Sequence, residues 1–248
     1  MIKTTAHITE IFSSLQGEGP HTGEAMTFVR FAGCSTGCRW CDSIDSIKTC
    51  VNYRVETPPK SKNFAILSNP VSMERLNGHL AYFTDDTISV TGGEPLEQAD
   101  FLAIWLPTLK PAKRVLLETN GIEASALQKI SRLIDIISMD IKLPSSTGRK
   151  DYWQEHAAFL SKALSSGKET YVKIVVTSDT SSKDLQEAIK LVTSTNKFLP
   201  VILQSASITD KFNLKVSDEQ MQSFARLCNL WLPNVSIMTQ MHKEAGLL

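Results

Sequence analysis

The sequence predicts an α/β fold built on a mostly parallel sheet. Short apolar runs rich in Val and Ile recur along the 248 residues, and few of them alternate with polar residues. Such unbroken apolar strands are typical of sheets that are buried on both faces. Longer amphipathic stretches separate the runs, which favours helical crossovers between parallel strands. Six or seven such units are fewer than a closed eight-stranded barrel requires, so the pattern is compatible with a barrel-like or an open sheet.

The predicted strands follow this pattern in chain order. Each run is short, bounded by polar or turn residues and rich in β-branched side chains. The predicted strands are Thr27–Phe31, Thr87–Val90, Arg114–Glu118, Ile134–Met139, Tyr171–Val176, Pro200–Gln204 and Val235–Met238.

Helices are predicted between these strands, where apolar residues recur at helical spacing. Ser217 is a favourable N-cap for the last of them, because Glu219–Gln220 follows in the first turn. The predicted helices are Ala99–Leu109, Ala124–Leu133, Asp151–Leu164, Ser182–Ser194 and Ser217–Asn229. The segment Lys48–Tyr82 contains Pro58-Pro59 and is predicted to be a loop or a variable insertion. Since no linker divides the chain, we expect a single domain over residues 1–248.

Composition indicates a globular protein with no net charge, although a local basic patch is compatible with it. Lys and Arg number 26, and Asp and Glu also number 26, so the net charge is zero. The chain as a whole therefore has no electrostatic attraction to nucleic acid or an anionic membrane. No apolar run reaches the roughly 18 residues of a membrane span, and the N-terminal residues contain no signal-peptide core. We expect a cytoplasmic protein with no nucleic-acid or membrane partner.

The most informative motif is a group of three cysteines. Cys34, Cys38 and Cys41 have the spacing C-x3-C-x2-C and directly follow a predicted strand. Three thiolates on one short loop can bind three corners of a cubane iron–sulfur cluster, which leaves the fourth iron open to another ligand. Gly33 and Gly37 allow the backbone to turn tightly around such a cluster.

Structural zinc is the alternative interpretation of these cysteines. Zinc requires four ligands, usually as two separated pairs, and Cys50 and His21 are the candidates for the fourth. Cys50 and Cys228 are otherwise expected to be free thiols that pack as small apolar side chains. A non-catalytic zinc-binding protein is therefore an alternative function.

The cysteine loop, with Trp40 before its last cysteine, resembles the radical S-adenosylmethionine superfamily. Thr91–Pro95, at the end of a predicted strand, is similar to the Gly-Gly-Glu-Pro motif of the same superfamily, which binds the amino group of the cofactor. The resemblance implies a partial TIM-like barrel, a [4Fe-4S] cluster on the three cysteines and S-adenosyl-L-methionine on the open iron. It also implies an electron donor such as flavodoxin or ferredoxin, and reductive cleavage of the cofactor to a 5′-deoxyadenosyl radical.

Further segments narrow this resemblance. Glu10–Pro20, interpreted as a loop before the first strand, together with Phe28–Cys34 and Trp40–Ser43, resembles the 7-carboxy-7-deazaguanine synthase family. These lyases contract the small pterin 6-carboxy-5,6,7,8-tetrahydropterin to 7-carboxy-7-deazaguanine with loss of ammonia, in queuosine-type 7-deazapurine biosynthesis. The resemblance also implies Mg2+ near the substrate carboxylate and a homodimer.

The residues themselves suit these roles. The Gln16 amide matches the donors and acceptors of a pterin edge, and Glu18 can accept from N–H groups of the same ring. Arg30 can bind a carboxylate through two hydrogen bonds, although a salt bridge in the barrel floor is the alternative. Ser43 offers a hydroxyl to Mg2+, although it could instead cap a helix.

The resemblance assigns roles residue by residue. The catalytic residues are expected to be Glu18, Arg30 and Glu118. The substrate-binding residues are expected to be Ser14, Leu15, Gln16, Glu18, Arg30 and Thr91. The cofactor-binding residues are expected to be Trp40, Cys41, Asp42, Gly93, Glu94, Asp140, Ile141, Lys142 and Gln204. The metal ligands are expected to be Cys34, Cys38 and Cys41 for the cluster and Ser43 for Mg2+.

One alternative within the superfamily is a glycyl-radical enzyme activase, which shares the cysteine loop but binds a protein; Gln16–Gly19 and Arg30 favour a small molecule. Two segments depart from the family pattern. Thr239 replaces a Pro before the tail Gln240–Lys243, so no substrate contact is transferred to that tail, and Asp140–Lys142 replaces the Ser-Pro-Lys of some relatives.

Overall fold

The structure is a computed structural model that describes residues 4–109, 113–209 and 212–238. Its strands are β1 Thr5–Ala6, β2 Ile8–Leu15, β3 Ala25–Phe31, β4 Asn52–Glu56, β5 Phe64–Ser68, β6 Val71–Ser72, β7 Thr87–Gly92, β8 Arg114–Thr119, β9 Ile136–Asp140, β10 Glu169–Val176, β11 Val201–Ser205 and β12 Val235–Met238. Its helices are α1 Met73–Leu80, α2 Ala99–Trp105, α3 Ala124–Ile130, α4 Pro144–Thr147, α5 Trp153–Ser165, α6 Ser182–Asn196 and α7 Asp218–Asn229. Short 3-10 turns occur at Ile44–Ser46, Pro95–Gln98, Leu106–Thr108 and Ser131–Leu133.

Ten strands form one sheet in the order β12-β11-β10-β9-β8-β7-β3-β2-β4-β5. From β3 to β12 every neighbouring pair is parallel, whereas β2 is antiparallel to β3 and β5 is antiparallel to β4. Within the described residues, β12 and β5 end the sheet and do not pair with each other. The sheet is therefore open, which confirms the predicted α/β fold with an incomplete barrel.

The inner face of the sheet has two layers. Near the amino ends of the parallel strands it is apolar, with Phe12 stacked on Phe28 at 5.0 Å between ring centroids. The apolar layer comprises Phe12, Met26, Phe28, Leu116, Ile136, Tyr171 and Ile202. Since alternate residues of a strand face the same side, the residues two positions further on form a polar layer above it. That polar layer comprises Arg30, Glu118, Ser138, Lys173 and Gln204.

The outer face carries the larger apolar core, where the helices pack against the sheet. All seven predicted strands and all five predicted helices are present, with ends that differ by a few residues. Ser217 caps α7 as predicted, because its side chain accepts a hydrogen bond from the backbone N–H of Gln220. In the described ranges no helix is long and apolar enough to cross a membrane.

Two predictions about elements were wrong. Lys48–Tyr82 is not an irregular loop, because it contains β4, β5, β6 and α1, and Pro58-Pro59 lies only in the connection between β4 and β5. The stretch before β3 is not a loop throughout either, because it contains β2. Both regions carry polar or exposed side chains, such as Glu10 in β2 and the 73% exposed Ile66 in β5, and so lack the apolar runs that mark the central strands.

Candidate active site

A cavity opens above the polar layer, at the carboxyl ends of the parallel strands. Most of the predicted site residues line it: Leu15, Gln16, Glu18, Arg30, Cys34, Cys38, Trp40, Cys41, Asp42, Ser43, Thr91, Gly93, Glu118, Asp140 and Lys142. It is also lined by residues without a predicted role: Phe12, Gly17, Phe28, Thr36, Gly92, Thr119, Asn120, Ser138 and Lys173. The predicted residues Ser14, Glu94, Ile141 and Gln204 do not line it. The tail Gln240–Lys243 and Thr239 lie outside the described residues.

The three cysteines of the motif are partly buried and share this cavity. Burial raises the pKa of the Cys38 thiol to about 11, although the ammonium of Lys142 opposes the shift. In the described parts of the chain, no three His, Cys, Asp or Glu side chains are arranged to bind a single metal ion. A cubane distributes its thiolates over three irons, whereas zinc collects its ligands on one atom. The cysteine loop therefore fits a cluster better than zinc.

Cys50 and His21, the two candidates for a fourth zinc ligand, make contacts outside the cavity. Cys50 Sγ lies 3.4 Å from the carbonyl oxygen of Ile8, and His21 hydrogen-bonds with Glu24 at 2.7 Å and with Glu169 at 2.6 Å. Neither Cys50 nor His21 lines the cavity. The zinc interpretation therefore has no support in this geometry.

Two arginines tie the cysteine loop to the segment around α4. Arg39 Nε donates to the carbonyl oxygen of Ser146 at 2.9 Å, and Arg39 Nη2 donates to that of Ser145 at 2.7 Å. In return, Arg149 donates through Nε at 2.8 Å and through Nη2 to the carbonyl oxygen of Gly37. These reciprocal contacts hold the main chain of the loop between Cys34 and Cys41.

Gly93 joins the strand-end turn after β7 to the cysteine loop. Its N–H donates to the carbonyl oxygen of Phe31 at 2.9 Å. A Cβ at position 93 would lie 2.2 Å from the carbonyl oxygen of Gly33 and 2.4 Å from that of Ser46. Only glycine allows this approach of two backbone segments.

Glu94 is fully buried and is not among the residues that line the cavity, and its predicted contact with the cofactor stays a prediction. Its Oε1 accepts from Thr119 Oγ1 at 2.8 Å and from Leu96 N–H at 3.0 Å, and its Oε2 accepts from Asn120 N–H at 2.7 Å. Burial raises the pKa of Glu94 to about 7. Glu94 therefore caps the Pro95–Gln98 turn and anchors the strand end after β8.

The Asp140–Lys142 turn brings charge to the cavity wall. Lys142 Nζ lies 2.8 Å from Asp140 Oδ2 and 4.7 Å from the centre of the Trp40 ring. Asp140 Oδ1 is buried and has no hydrogen-bond partner, so it can accept from a bound ligand. The Ile141 side chain packs in the outer core, and the predicted contact of this residue with the cofactor stays a prediction.

His156 connects two of these turns from behind. Its Nδ1 lies 2.9 Å from the carbonyl oxygen of Gly121, and its Nε2 accepts from Lys142 N–H at 3.0 Å. Burial lowers the pKa of His156 to about 4, so the ring is neutral near pH 7 with its proton on Nδ1. Nothing in the sequence distinguishes this histidine from an ordinary residue of α5.

Gln16 and Glu118, which also line the cavity, form a hydrogen-bonded pair. Gln16 Nε2 donates to Glu118 Oε1 at 2.8 Å, and Gln16 Oε1 accepts from Glu18 N–H at 3.0 Å. Glu118 also accepts from Thr91 Oγ1 at 2.9 Å and from Ser89 Oγ at 3.1 Å. The structure therefore brings together three of the residues predicted to contact substrate.

Glu18 is bound by two further residues of the barrel wall. Lys173 Nζ lies 2.5 Å from Glu18 Oε2, and Gln204 Nε2 donates to Glu18 Oε1 at 2.8 Å. Burial raises the pKa of Glu18, but the charge and hydrogen bond of Lys173 outweigh it and hold the pKa below its usual value. A buried lysine requires an acidic partner, and Glu18 supplies it. Gln204 contacts Glu18 in this structure, and its predicted contact with the cofactor stays a prediction.

Arg30 combines a salt bridge with a place in the cavity. Its Nε donates to Glu10 Oε1 at 2.7 Å, and Glu10 Oε2 in turn lies 2.6 Å from Arg54 Nη2. Arg30 Nη1 donates to Ser43 Oγ at 3.2 Å, and Ser43 donates to Asp42 Oδ1 at 3.1 Å. The Ser43 side chain makes no capping hydrogen bond to the turn at Ile44–Ser46, so the capping alternative is wrong.

Comparison with known proteins adds independent information. A model of the Radical SAM superfamily matches residues 28–192. The chain is 36% identical over 256 positions to the 7-carboxy-7-deazaguanine synthase of Geobacter sulfurreducens, with 100% of both chains covered. It is 31% identical over 270 positions to the synthase of the same name from Methanothermobacter thermautotrophicus, again with 100% of both covered.

Solved structures share the fold. QueE from Escherichia coli superimposes with a TM-score of 0.60 at 19% identity, over 96% of this chain and 94% of that one. The structure of anSMEcpe with bound AdoMet has a TM-score of 0.54 at 15% identity, over 81% of this chain and 55% of the other. At these identities the similarity shows a common fold.

Proposed function

The chain belongs to the radical SAM superfamily and, within it, to the 7-carboxy-7-deazaguanine synthase family, and from this premise we propose how its cavity performs the reaction. The protein is a lyase that converts 6-carboxy-5,6,7,8-tetrahydropterin to 7-carboxy-7-deazaguanine with loss of ammonia. One observation carries the proposal: the three cysteines and the Gln16–Glu18 segment line one and the same cavity. A radical generated at the cysteines would therefore reach a pterin held by that segment.

The residues of the cofactor side fit the groups that the superfamily uses. Cys34, Cys38 and Cys41 would hold a [4Fe-4S] cluster, and the unpaired Oδ1 of Asp140 would accept a hydrogen bond from S-adenosyl-L-methionine. When bound, the cluster and this cofactor supply a carbon-centred radical that removes hydrogen from the substrate. Lys142 would add a positive charge beside the cofactor carboxylate. Together these residues orient the cofactor and exclude water from the radical.

The residues of the substrate side would hold the pterin by its two polar ends. Glu18 and Gln16 would pair with the pyrimidine edge, and Arg30 would pair with the carboxylate. Because the Glu10 carboxylate already fixes Arg30 Nε, only the outer nitrogens of the guanidinium are directed at the ligand. The pterin ring would then lie over Phe12 and Phe28, which form the floor.

Mg2+ is part of the proposal. Ser43 Oγ and the Asp42 carboxylate are the hard oxygen donors in this corner. The Arg30 guanidinium lies 3.2 Å from Ser43 Oγ and would repel a cation bound there alone. A substrate carboxylate between them would satisfy both charges, so Mg2+ should bind only together with the substrate. If the Ser43→Ala variant keeps the full stimulation of turnover by Mg2+, Ser43 is not a ligand.

Reconstitution tests the function directly. The protein is loaded anaerobically with iron and sulfide and incubated with S-adenosyl-L-methionine, a reductant, Mg2+ and 6-carboxytetrahydropterin, and the products are identified by mass spectrometry. We expect 7-carboxy-7-deazaguanine. Formation of 5′-deoxyadenosine without that product would mean that the substrate is wrong and would revive the activase alternative. A flavodoxin or ferredoxin as electron donor, a homodimer and a cytoplasmic location stay predictions.

A further inference from the structure

The connection between β2 and β3, residues 16–24, is the loop that carries Gln16 and Glu18 into the cavity. Two main-chain hydrogen bonds close the base of this 16–24 loop. The Gln16 N–H donates to the carbonyl oxygen of Glu24 at 2.8 Å, and the Gly23 N–H donates to that of Gln16 at 2.8 Å. The position of the remaining residues of the loop therefore depends on what they contact in the sheet.

The first half of β10 provides such contacts through alternate residues, which face the same side of the sheet. Tyr171 packs against Gly19, where an added Cβ would lie 2.6 Å from Cε2 of the Tyr171 ring. Two positions earlier in the strand, Glu169 Oε1 lies 2.6 Å from His21 Nε2. Neither His21 nor Glu169 lines the cavity, so the loop is attached to β10 at a place outside it.

His21 makes a hydrogen bond with each of its two ring nitrogens. Nδ1 lies 2.7 Å from Glu24 Oε1, Nε2 lies 2.6 Å from Glu169 Oε1, and the residue is only 8% exposed. A neutral imidazole has a single N–H, and an ionised carboxylate has no proton to donate. Both hydrogen bonds can therefore exist together only while the ring is an imidazolium, and loss of one proton breaks one of them.

We propose that His21 is a positioning residue for the pterin: as an imidazolium it fixes the 16–24 loop on β10, and thereby the place of the Gln16–Glu18 segment in the cavity. This inference rests on the proposed function, because it takes that segment as the part of the loop that contacts the pterin. His21 acts through the loop backbone from outside the cavity. The affinity for the pterin should therefore depend on the protonation of a histidine that does not touch the ligand.

The groups around His21 favour its charged form. Burial lowers the pKa of His21, but the hydrogen bonds and charges of Glu24 and Glu169 outweigh this effect and hold the pKa above its usual value. Arg114 of β8 adds a positive charge, with Nη2 at 3.8 Å from Glu169 Oε2. The Tyr171 ring, 6.5 Å from that of His21, stays neutral because burial raises its pKa. The stabilisation of the loop by His21 is therefore complete at mildly acidic pH and is lost as the pH rises through the raised pKa.

The test measures the affinity for 6-carboxypterin, an oxidised analogue of the proposed substrate, by fluorescence between about pH 6 and about pH 9. The cluster-loaded protein is used with S-adenosyl-L-methionine and without reductant. Because the ligand can ionise in this range, the quantity compared is the ratio of the dissociation constants of variant and wild type. The amide of His21→Gln can donate to one of the two carboxylates. We expect this variant to bind about tenfold more weakly at about pH 6, and the ratio to approach one at about pH 9.

Glu169→Gln is the second variant, at a half-exposed position. It keeps an acceptor for His21 Nε2 but removes one of the two negative charges that raise the pKa, so its affinity should fall at a lower pH than that of the wild type. His79→Gln is the matched control, because His79 contacts Tyr53 and lies outside the cavity, and it should bind like the wild type at every pH. Cluster content and affinity for S-adenosyl-L-methionine should be unchanged in all three variants.

The outcomes separate the role of His21 from the proposed function. If the wild type binds 6-carboxypterin and His21→Gln has the same affinity over the whole range, the role of His21 is overturned and the proposed function stands. A loss of affinity that is the same at every pH would indicate a structural role only and would also overturn the proposal. If His21→Gln does not fold, an unshifted pH profile of Glu169→Gln overturns it. If the wild type does not bind the ligand at any pH, the proposed function fails and the role of His21 fails with it.

Discussion

The two sides of the cavity are built in different ways. The cofactor side is made of the cysteine loop Cys34–Cys41, the turn Gly92–Gly93 and the turn Asp140–Lys142. It is held mainly by hydrogen bonds in which at least one partner is a main-chain carbonyl or N–H. The substrate side, made of Gln16–Glu18, Arg30 and Glu118, is held by hydrogen bonds and ion pairs between side chains. Main-chain contacts depend on backbone geometry, whereas side-chain networks depend on which residues are present.

This difference indicates which side of the cavity is suited to a cofactor shared by many proteins and which side is suited to a particular substrate. A backbone scaffold can hold the same cluster and cofactor in many proteins, because a carbonyl or N–H is the same at every position. A network such as the pair Glu18–Lys173 places a particular pattern of charges in the cavity, so we expect the substrate side to determine which ligand is bound. We therefore expect glycine and cysteine substitutions to disable the cofactor side, and charge substitutions to change ligand affinity on the substrate side.

The largest effect is expected for Cys38→Ala. The cluster would lose one of its three protein ligands, so iron content, visible absorption and turnover should all be abolished. Cys50→Ala is the matched control, because that thiol lies outside the cavity, and it should keep its cluster. Normal turnover of Cys38→Ala would contradict the assignment of the cysteine loop.

Gly93→Ala should have the next largest effect. The added Cβ would meet two backbone carbonyl oxygens, of Gly33 and Ser46, so the turn and the cysteine loop must separate. We expect a loss of at least about 2 kcal/mol in the free energy of unfolding, together with poor cluster assembly. Gly78→Ala, in α1 with no atom within 4 Å of the new Cβ, should be neutral or slightly stabilising in the same denaturation measurement.

The next prediction concerns the pH dependence of stability, because buried His156 is neutral in the folded protein. Its pKa is lowered to about 4, below the ordinary value of about 6.5, so the unfolded chain binds more protons between these values. Through His156, the free energy of unfolding should therefore decrease by about 3 kcal/mol as the pH falls from about 6.5 to about 4. Glu94, whose pKa is raised to about 7, has the opposite effect, because its protonation stabilises the folded protein as the pH falls. The contribution of His156 must therefore be obtained as the difference between wild type and a His156 variant.

The measurement is denaturation of wild type, His156→Gln and His156→Leu across this pH range. In both variants, the part of the decrease in the free energy of unfolding at acidic pH that is due to His156 should be absent. At neutral pH, His156→Gln should keep more stability than His156→Leu, because an amide can both donate and accept. Parallel pH curves for wild type and variants would show that burial does not lower the pKa of His156.

The smallest effect is expected on the substrate side, where Arg30 and Arg54 share Glu10. Arg30→Ala should raise KM for the pterin roughly tenfold or more while the cofactor is still cleaved, because a charged hydrogen bond to the carboxylate is lost. Arg54→Ala removes the exposed partner of the same ion pair and should change KM less than about threefold. Similar KM values for the two variants would mean that Arg30 serves only the salt bridge.

The sequence was sufficient for the central strands but insufficient at the edge of the sheet. Strands such as β7 and β9 are buried on both faces and therefore appear as apolar runs. In β2, Glu10 faces Arg30 and Ser13 bonds to Asp85, so polar residues interrupt the pattern. The hairpin β4–β5 lies at the exposed edge, where packing no longer requires apolar side chains.

Site residues could be predicted where they form a motif of neighbouring residues in the sequence. They could not be predicted where their role depends on a partner far away in the sequence. The cysteine spacing identifies its loop directly, but the placement of Glu94 depends on Asn120, 26 residues away. The pair Glu94-Pro95 did contain a usable signal, since a carboxylate before a proline is a favourable start for a helical turn. His156 and the partnership of Glu18 with Lys173, 155 positions apart, follow only from the folded chain.

The two layers of the inner face also limit how this chain can change in length. Four parallel strands each bring a polar residue to the cavity two positions after an apolar residue of the floor, as Lys173 follows Tyr171 in β10. Deleting or inserting a single residue upstream within such a strand reverses the facing of everything beyond it. Lys173 would be replaced in the cavity by an aliphatic neighbour, Val172 or Ile174, and its ammonium would enter the outer core. Length variation should therefore survive selection in the connections and not within the parallel strands.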